Sequence, residues 1–440
     1  MTVAPFSTGR FQVAVGRLAR VARTIPFRLA VAGVCLIIHL LLVAHSGQER
    51  FQADFNRWPG QPPAIRNPTA DWGAQRWDRL VVARWDAGHY VALGLRGYQY
   101  CGPVGPHGEL PNGPACDLTF YPTYGWLGRL LGMVAHIPID VALFVISLCS
   151  SFVFLFLWTT DAMVERLGLP ETYLSLVLFN CFTTGFSLVT VQTEPLTLAL
   201  TLGSFIALRR RRYWLGALLA GAASGMRITG VAVSVAFGLA LLVQTWEERP
   251  PTRAAWARRI GELVLAGWGG IALMAYHLYR FGDAFAYIHA HGAAFHHQPS
   301  IWNLLWPKPE WLIHAIEQPL HEGVWLAVCL IWFLAGHRQA LRRFSLVEQT
   351  FWYGLFVSIL AITTVGLVSI SFAGMNRYLL LALPLFFAMA NLTRTRPALL
   401  AFWLVVSVWH YYQVDLCTYT GGPGNHVLQV CHAGHWVGRI

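Results

Sequence analysis

One short stretch of this 440-residue chain combines residue types suited to acid–base chemistry. Asp86 and His89 are three residues apart, and on a helix or tight turn this spacing places a carboxylate and an imidazole on one face. Trp85 and Tyr90 flank them with aromatic rings. A carboxylate in this setting can accept the proton of a hydroxyl nucleophile. The structural alternative is that Asp86 caps a helix by accepting hydrogen bonds from backbone N–H groups.

The overall composition indicates that membrane-spanning helices position these residues. Hydrophobic residues make up 55% of the chain and charged residues only 12%, whereas a soluble domain carries about 25% charged residues. The 19 tryptophans suit a protein with many membrane–water boundaries. We therefore predict an all-α polytopic membrane protein, organised as a single integral membrane domain over residues 1–440.

The net charge of +11 has an explanation other than nucleic-acid binding. Lys308 is the sole lysine, so nearly all the basic charge is arginine, and it falls in clusters between apolar runs. Such clustering is typical of cytoplasmic loops under the positive-inside rule. A nucleic-acid interface would need a soluble domain to carry it, and we find none, so we expect no nucleic-acid partner.

About eleven apolar segments are long enough to span a bilayer, at residues 28–46, 138–160, 171–191, 194–208, 213–228, 229–246, 259–280, 322–337, 347–369, 375–391 and 397–414. We interpret the first as a retained helix with a cytoplasmic N-terminus, because its apolar run is longer than that of a signal peptide. Alternating sides then places each short arginine cluster in the cytoplasm, namely Arg166, 209–212, 249–259, 338–343, Arg394 and Arg396.

This assignment depends on two choices that hydropathy leaves open. Residues 121–137 are taken as an amphipathic helix at the outer interface, and residues 213–246 are taken as two spans joined near Arg227. The C-terminus is then outside, and three long extracytoplasmic regions result: a large first loop (47–137) with interfacial helices, a second loop (281–321) and a tail (415–440).

The eight cysteines divide according to this topology. Four fall within predicted spans, where we expect inert packing residues: Cys35, Cys149, Cys181 and Cys329. The other four fall outside, where an oxidising compartment allows disulfides, and we predict the pairs Cys101–Cys116 and Cys417–Cys431. Metal ligation is the alternative for these four, although no C-x-x-C spacing is present.

Five short segments, in order, carry a resemblance to a known family. They are Trp85-Asp86-Ala87-Gly88-His89-Tyr90 with Gly97-Tyr98 and Tyr121-Pro122, then residues 192–196 (QTEPL), 225–230 (GMRITG), 281–287 (FGDAFAY) and 376–379 (NRYL). The first resembles the W-D-x-x-H-[FY] signature of the PIG-V family of mannosyltransferases, and the others resemble later motifs of that family. Thr193 and Ala284 depart from its usual Ser and Pro.

The resemblance implies a GT-C-like fold and a specific reaction. GT-C enzymes of this kind transfer a sugar, here mannose, from polyprenyl phosphate to an acceptor hydroxyl in one inverting displacement. The resemblance implies that Asp86 is the catalytic base. Substrate-contacting residues would include Trp85, His89, Tyr90, Tyr121, Glu194, Arg227 and Arg377.

Arg227 and Arg377 are our first candidates for binding the donor phosphate, because a guanidinium fork matches phosphate oxygens. Arg84 and Arg96 are second choices. The predicted topology brings Asp86, Glu194, Arg227 and Arg377 to one membrane face. Each of these residues also has a structural explanation that involves no substrate. The arginines could extend their side chains to the membrane interface, and Glu194 could be stabilised by the dipole of the helix that it begins.

We expect no cofactor and no divalent metal beyond the lipid-linked sugar as co-substrate. The second outer region holds six histidines, but without a metal-binding carboxylate spacing. The expected partners are the polyprenyl-phosphate sugar donor, membrane lipid, and a glycolipid, glycan or protein acceptor. The expected location is a bacterial inner membrane, or the ER membrane if the source is eukaryotic, with the site on the periplasmic or lumenal side.

Three rival functions stay open at this point. One is the same fold acting on another lipid-linked sugar. Another is a multi-span lipid or sugar transporter, which should show internal repeats and helices broken at the midplane; we find no convincing self-similarity. The third is a non-catalytic subunit of a glycosylation complex.

Overall fold

Helices account for nearly all of the regular structure. The computed structural model describes residues 19–50, 86–98, 117–182, 184–249, 252–294, 322–365 and 375–420. It is 84% helical, and no strand occurs within these ranges, which confirms the all-α prediction.

The described helices, numbered in chain order, are α1 (Ile25–Arg50), α2 (Ala87–Arg96), α3 (Thr123–Ala135), α4 (Ile139–Trp158), α5 (Asp161–Leu167), α6 (Leu169–Asn180), α7 (Glu194–Arg209), α8 (Tyr213–Met226), α9 (Val231–Glu248), α10 (Arg253–Ala266), α11 (Trp268–Phe281), α12 (Ala286–Ala294), α13 (Glu322–Leu341), α14 (Leu346–Val365), α15 (Met375–Leu379), α16 (Pro384–Thr393) and α17 (Pro397–Thr420). Short 3-10 helices occupy Asp117–Thr119, Gly185–Val189 and Ile228–Gly230.

Four helical segments are long and apolar enough to cross a membrane: Ile25–Ala44, Ile139–Trp158, Ile228–Glu248 and Leu346–Val365. Between 28% and 50% of each segment is buried inside the protein. At least half of each apolar segment is therefore not buried within the protein, which is typical of helices that face lipid. These segments indicate a membrane-embedded helical protein.

Aromatic side chains form the centre of the helix packing. Trp158 of α4, Phe179 of α6 and Phe386 of α16 are fully buried. The ring centroids of Trp158 and Phe179 are 5.1 Å apart, and those of Phe179 and Phe386 are also 5.1 Å apart. Tilted and edge-on contacts at this distance are favourable for aromatic pairs. They join α4 and α6, which are near each other in sequence, to α16, which is remote from both.

Three segments predicted as single spans are interrupted in the structure. Residues 171–191 form α6, which ends at Asn180, followed by the 3-10 helix Gly185–Val189. Residues 259–280 are divided between α10 and α11 at Gly267, and residues 375–391 between α15 and α16. Pro384 begins α16, and proline cannot continue a preceding helix. Hydropathy measures apolar length and does not detect such breaks.

Serines of α4 bind the irregular backbone after α6. The Ser151 hydroxyl donates to the Leu188 carbonyl at 2.6 Å, and the Ser147 hydroxyl donates to the Gln192 carbonyl at 3.2 Å. Polar backbone away from water needs such partners. A predicted continuous span is thereby replaced by a broken segment that leads directly into α7.

Residues 213–246 are divided into two helices near Arg227, as predicted, while the membrane span assigned to the first of them stays a prediction. Helix α8 ends at Met226, and Arg227 is extended, with φ −165° and ψ 162°. A Cβ on Gly230 would lie 1.8 Å from the Ala223 carbonyl oxygen. Only glycine therefore permits the tight return of the chain that follows Arg227.

Two helices of the first loop predicted to be extracytoplasmic, α2 and α3, pack closely. Helix α3 lies within the segment predicted to be helical, while its position at a membrane interface stays a prediction. A Cβ on Gly125 of α3 would lie 2.5 Å from the Tyr90 carbonyl oxygen of α2. The glycine allows the two backbones to meet and thereby sets the position of α2, which begins just after Asp86.

Candidate functional site

Asp86 immediately precedes α2, with φ −61° and ψ −13°. Its carboxylate makes no capping hydrogen bond to the helix, so the capping alternative is wrong. Its Oδ2 atom instead lies 2.5 Å from Nη1 of Arg377, and its side chain is 27% exposed. The carboxylate is thus held by a charge-assisted contact while keeping access to solvent.

Arg377, in the short helix α15, collects acceptors from three chain positions. Its Nη1 donates to Asp86, its Nε donates to Glu194, and its Nη2 donates to the side-chain oxygen of Gln192. The side chain is 13% exposed. A planar guanidinium with five donors suits this convergence, because each nitrogen faces a different acceptor.

Glu194 is the first residue of α7 and is fully buried. Besides Arg377, its carboxylate meets Arg227, whose Nη1 lies 2.6 Å from Oε1. Two carboxylates and two guanidinium groups are therefore gathered in one cluster, which we call the Asp86 cluster: Asp86, Glu194, Arg227 and Arg377. A buried charge is costly unless it is paired in this way.

Arg227 keeps hydrogen-bonding capacity within this cluster. Its Nη1 is paired with the Glu194 carboxylate, whereas its Nε is buried and has no hydrogen-bond partner among the described residues. Its guanidinium carbon lies 5.3 Å from the ring centroid of Tyr378, within the range of a cation–π contact. Buried N–H groups of this kind are normally satisfied, so Arg227 is suited to receive an anion.

Tyr90 packs beside the Asp86 cluster. Its hydroxyl lies 3.5 Å from Oγ1 of Thr193, the residue before Glu194, and its ring meets Tyr124 edge-on at 5.2 Å. Burial raises the pKa of the Tyr90 hydroxyl far above its ordinary value. The group therefore stays neutral and keeps its proton for donation.

His89 is held by a neighbour that sequence reasoning missed. Its Nδ1 atom lies 2.7 Å from Oδ1 of Asp117, which is almost fully buried, and its ring stacks on Phe120 at 4.1 Å. Asp117 comes from the 3-10 helix that precedes α3. A carboxylate behind an imidazole fixes the orientation of the ring.

Tyr121 lies under the same region. Its ring meets Tyr287 edge-on at 4.8 Å, and both pack with Leu273 and Ile228, the residue after Arg227. Burial also raises the pKa of the Tyr121 hydroxyl. Tyr121 thus belongs to a small apolar cluster against which the residue after Arg227 packs, which agrees with a place near the Asp86 cluster.

Of the remaining predicted site residues, Arg96 alone has a described side chain. Arg96 ends α2, and at about 1.5 Å per residue it is roughly 15 Å along the helix from Asp86. Arg84, Trp85, Cys101, Cys116 and Cys431 lie outside the described residues, as does the side chain of Cys417. Both predicted disulfides thus lie outside the described residues, whereas Cys35, Cys149, Cys181 and Cys329 are free.

Gln192 and Tyr378 were missed as site residues, although both belong to the motifs quoted above. Each is adjacent, or nearly so, to a predicted charged residue: Gln192 precedes Glu194 by two, and Tyr378 follows Arg377. Their position beside a charged motif residue was the sequence signal that could have identified them as site residues. Asp117 carried no comparable signal.

Comparisons of the chain with models of protein families, with curated proteins and with solved structures found no match. The resemblance to the PIG-V family accordingly depends on the motifs themselves. Geometry adds one independent fact: charged residues from four of these motifs are in contact with one another.

Proposed function

We propose that this protein is an inverting glycosyltransferase of the GT-C type, which moves mannose from polyprenyl phosphate to an acceptor hydroxyl on the extracytoplasmic face. The proposal includes about eleven membrane spans and a cytoplasmic N-terminus. The observation that carries it is the Asp86 carboxylate, which is partly exposed and held by Arg377 among residues of the resembling motifs. Mannose itself is supported by the family resemblance alone.

In this mechanism Asp86 is the general base. Its Oδ2 is bound by Arg377, whereas its Oδ1 accepts no hydrogen bond from the described residues. Oδ1 can therefore take the proton of the acceptor hydroxyl, whose oxygen attacks C1 of the sugar. The bond between C1 and the phosphate oxygen breaks, and polyprenyl phosphate leaves with the electron pair.

The two arginines then have different roles. Arg377 already binds three acceptors of the chain and orients Asp86, which makes it a positioning residue. Arg227, whose buried Nε has no partner among the described residues, is the better candidate to neutralise the charge that develops on the leaving phosphate. This division refines the expectation that both arginines bind the phosphate.

The rival functions differ in what they require of Asp86. Another lipid-linked sugar would use the same base. A transporter would need the carboxylate only for binding, and a non-catalytic subunit would not need it for chemistry. A reaction that depends on Asp86 therefore separates the enzyme from the other two.

The test is Asp86→Asn, assayed with radiolabelled polyprenyl-phosphate mannose in membranes that contain the expressed protein. We expect label transfer to fall roughly 10²–10⁴-fold, the usual worth of a general base. The amide keeps the size of the side chain and can still accept a hydrogen bond from Arg377.

The matched control is Asp161→Asn, because Asp161 also pairs with an arginine, Arg28, at 2.5 Å and is 58% exposed. This variant should transfer label as the unchanged protein does, at equal expression. Normal transfer by Asp86→Asn would remove Asp86 from the base role.

A further inference from the structure

A second polar site lies at the other end of the helix bundle. It is a cavity of about 260 Å³ between the end of α5, the start of α6, the end of α13 and the turn from α16 to α17. Arg377 precedes α16 and Arg394 follows it, so the cavity and the Asp86 cluster lie at opposite ends of that helix. We call it the arginine cavity.

Five arginines and one glutamate line the arginine cavity: Arg166, Arg342, Arg343, Arg394, Arg396 and Glu171. These arginines belong to three clusters that are separate in sequence and are each predicted to be cytoplasmic. The fold therefore concentrates positive charge that the positive-inside rule alone would leave distributed over three loops.

The chain neutralises part of this charge. Arg166 lies 2.9 Å from Glu348, and Arg394 pairs with Glu171. Within the described ranges, Arg342, Arg343 and Arg396 have no carboxylate partner. These three guanidinium groups thus make no direct ion pair with a described carboxylate. Arg343 does have the Glu171 carboxylate nearby, since a Cβ on Gly168 would lie 3.1 Å from Nη1 of Arg343 and 2.6 Å from Oε2 of Glu171.

The uncharged side chain of Asn391 also lacks a described partner in this cavity. The side-chain nitrogen of Asn391 is buried, and no described residue accepts a hydrogen bond from it. Asn391 also lines the cavity. Buried donors normally have an acceptor, and an anion in the cavity would supply one.

We propose that the arginine cavity binds a phosphate group. Guanidinium forks match phosphate oxygens bidentately, and the volume exceeds the share of one water molecule, about 30 Å³, several-fold. The same chemistry has two sources, the headgroup of an anionic phospholipid and free inorganic phosphate. Basic pockets between membrane helices bind lipid headgroups in this way. This site is independent of the proposed transferase activity.

The test uses the full chain, purified in detergent and freed of lipid, at constant ionic strength. Binding is followed by thermal unfolding and by native mass spectrometry with three probes: phosphatidylglycerol, inorganic phosphate and, as the zwitterionic reference, phosphatidylcholine. The variant is Arg342→Gln with Arg343→Gln. Both residues are exposed at the end of α13, so folding should be retained.

The matched control is Arg210→Gln with Arg212→Gln, an exposed pair from another arginine cluster that does not line the cavity. Arg396→Gln is a second, single variant for the case in which the double variant fails to fold.

We expect stabilisation of the unchanged protein and of the control, and about tenfold weaker binding in each cavity variant. Stabilisation by phosphatidylglycerol alone identifies a lipid headgroup, and stabilisation by inorganic phosphate identifies the free anion. Binding that is equal in the cavity variants and the control would overturn the proposal. The absence of any response beyond that to phosphatidylcholine would do so as well.

Discussion

At the scale of single residues, Glu194 has the most demanding environment in the Asp86 cluster. It is fully buried and faces both Arg227 and Arg377. The helix dipole by itself stabilises a carboxylate at a helix N-terminus, and this was the structural explanation considered for Glu194 from the sequence. The contacts with two arginines show that Glu194 also compensates buried positive charge.

Replacing Glu194 with Gln should therefore destabilise the protein strongly. The change leaves two buried guanidinium groups with less counter-charge, and breaking a buried pair costs roughly 3–5 kcal/mol. Glu165→Gln is the matched control, because Glu165 also pairs with an arginine, Arg209, but is 59% exposed. An exposed pair contributes about 1 kcal/mol or less.

The measurement is the midpoint of thermal or denaturant unfolding of both variants in the same detergent. A small, equal decrease in the two variants would contradict this account of Glu194.

The histidines of residues 281–321, the second loop predicted to be extracytoplasmic, lead to a separate expectation about metals. His289 lies 2.6 Å from Asp283, and the described part of the chain contains no group of three or more potential metal ligands. We expect mannosyl transfer to keep its full rate in the presence of EDTA. Loss of activity that Mg²⁺ or Mn²⁺ restores would show a metal requirement.

At the scale of elements, the contact between α2 and α3 decides where Asp86 lies. Gly94 and Gly125 are opposite each other, and a Cβ on Gly94 would lie 2.7 Å from the Gly125 carbonyl oxygen. Small residues allow membrane-protein helices to approach closely. Asp86 lies one turn of chain from Tyr90, whose carbonyl also meets Gly125.

Gly125→Ala should separate these helices and move Asp86 away from Arg377. Overpacking of this kind typically costs about 1–3 kcal/mol, and we expect both the unfolding midpoint and mannosyl transfer to fall. Gly238→Ala in α9 is the control, since its Cβ would find its nearest neighbour at 3.8 Å.

Both substitutions gain the same helix propensity, so the difference between them reports the close contact. If Gly125→Ala behaves like Gly238→Ala in both measurements, the glycine contact does not position α2.

At the scale of the whole molecule, the unequal ends of the helix bundle are the main feature. One end carries the Asp86 cluster with balanced charge, and the other carries the arginine cavity with an excess of positive charge. The positive-inside rule predicts that the second end is cytoplasmic.

Reporter fusions test this orientation. A fluorescent-protein reporter fused after residue 211 or 394 should fluoresce, because both positions are predicted to be cytoplasmic. An alkaline phosphatase reporter fused after residue 283 should be active, because this position is predicted to be outside. The reverse pattern would invert the topology and would place the proposed site on the cytoplasmic face.

The sequence by itself determined the solvent and the type of structure. A chain with 12% charged residues cannot cover its surface with polar groups, and apolar segments remote from water form helices because helices satisfy their own backbone. The positions of Asp86, Glu194, Arg227 and Arg377 in motifs were also visible. Composition, apolar length and motif positions can each be recognised within single segments of the chain, without knowledge of tertiary contacts.

Only the tertiary structure decided which groups meet. Arg377 is 291 residues from Asp86 and 183 from Glu194, and no local pattern specifies pairing over such separations. The break after Asn180 likewise depends on a partner elsewhere, as the bond from Ser151 to Leu188 illustrates, whereas the break before Pro384 has a local cause in the proline itself. The arginine cavity arises in the same way. Its arginines come from three segments that are separate in sequence, and only the packing of the helices brings these segments together.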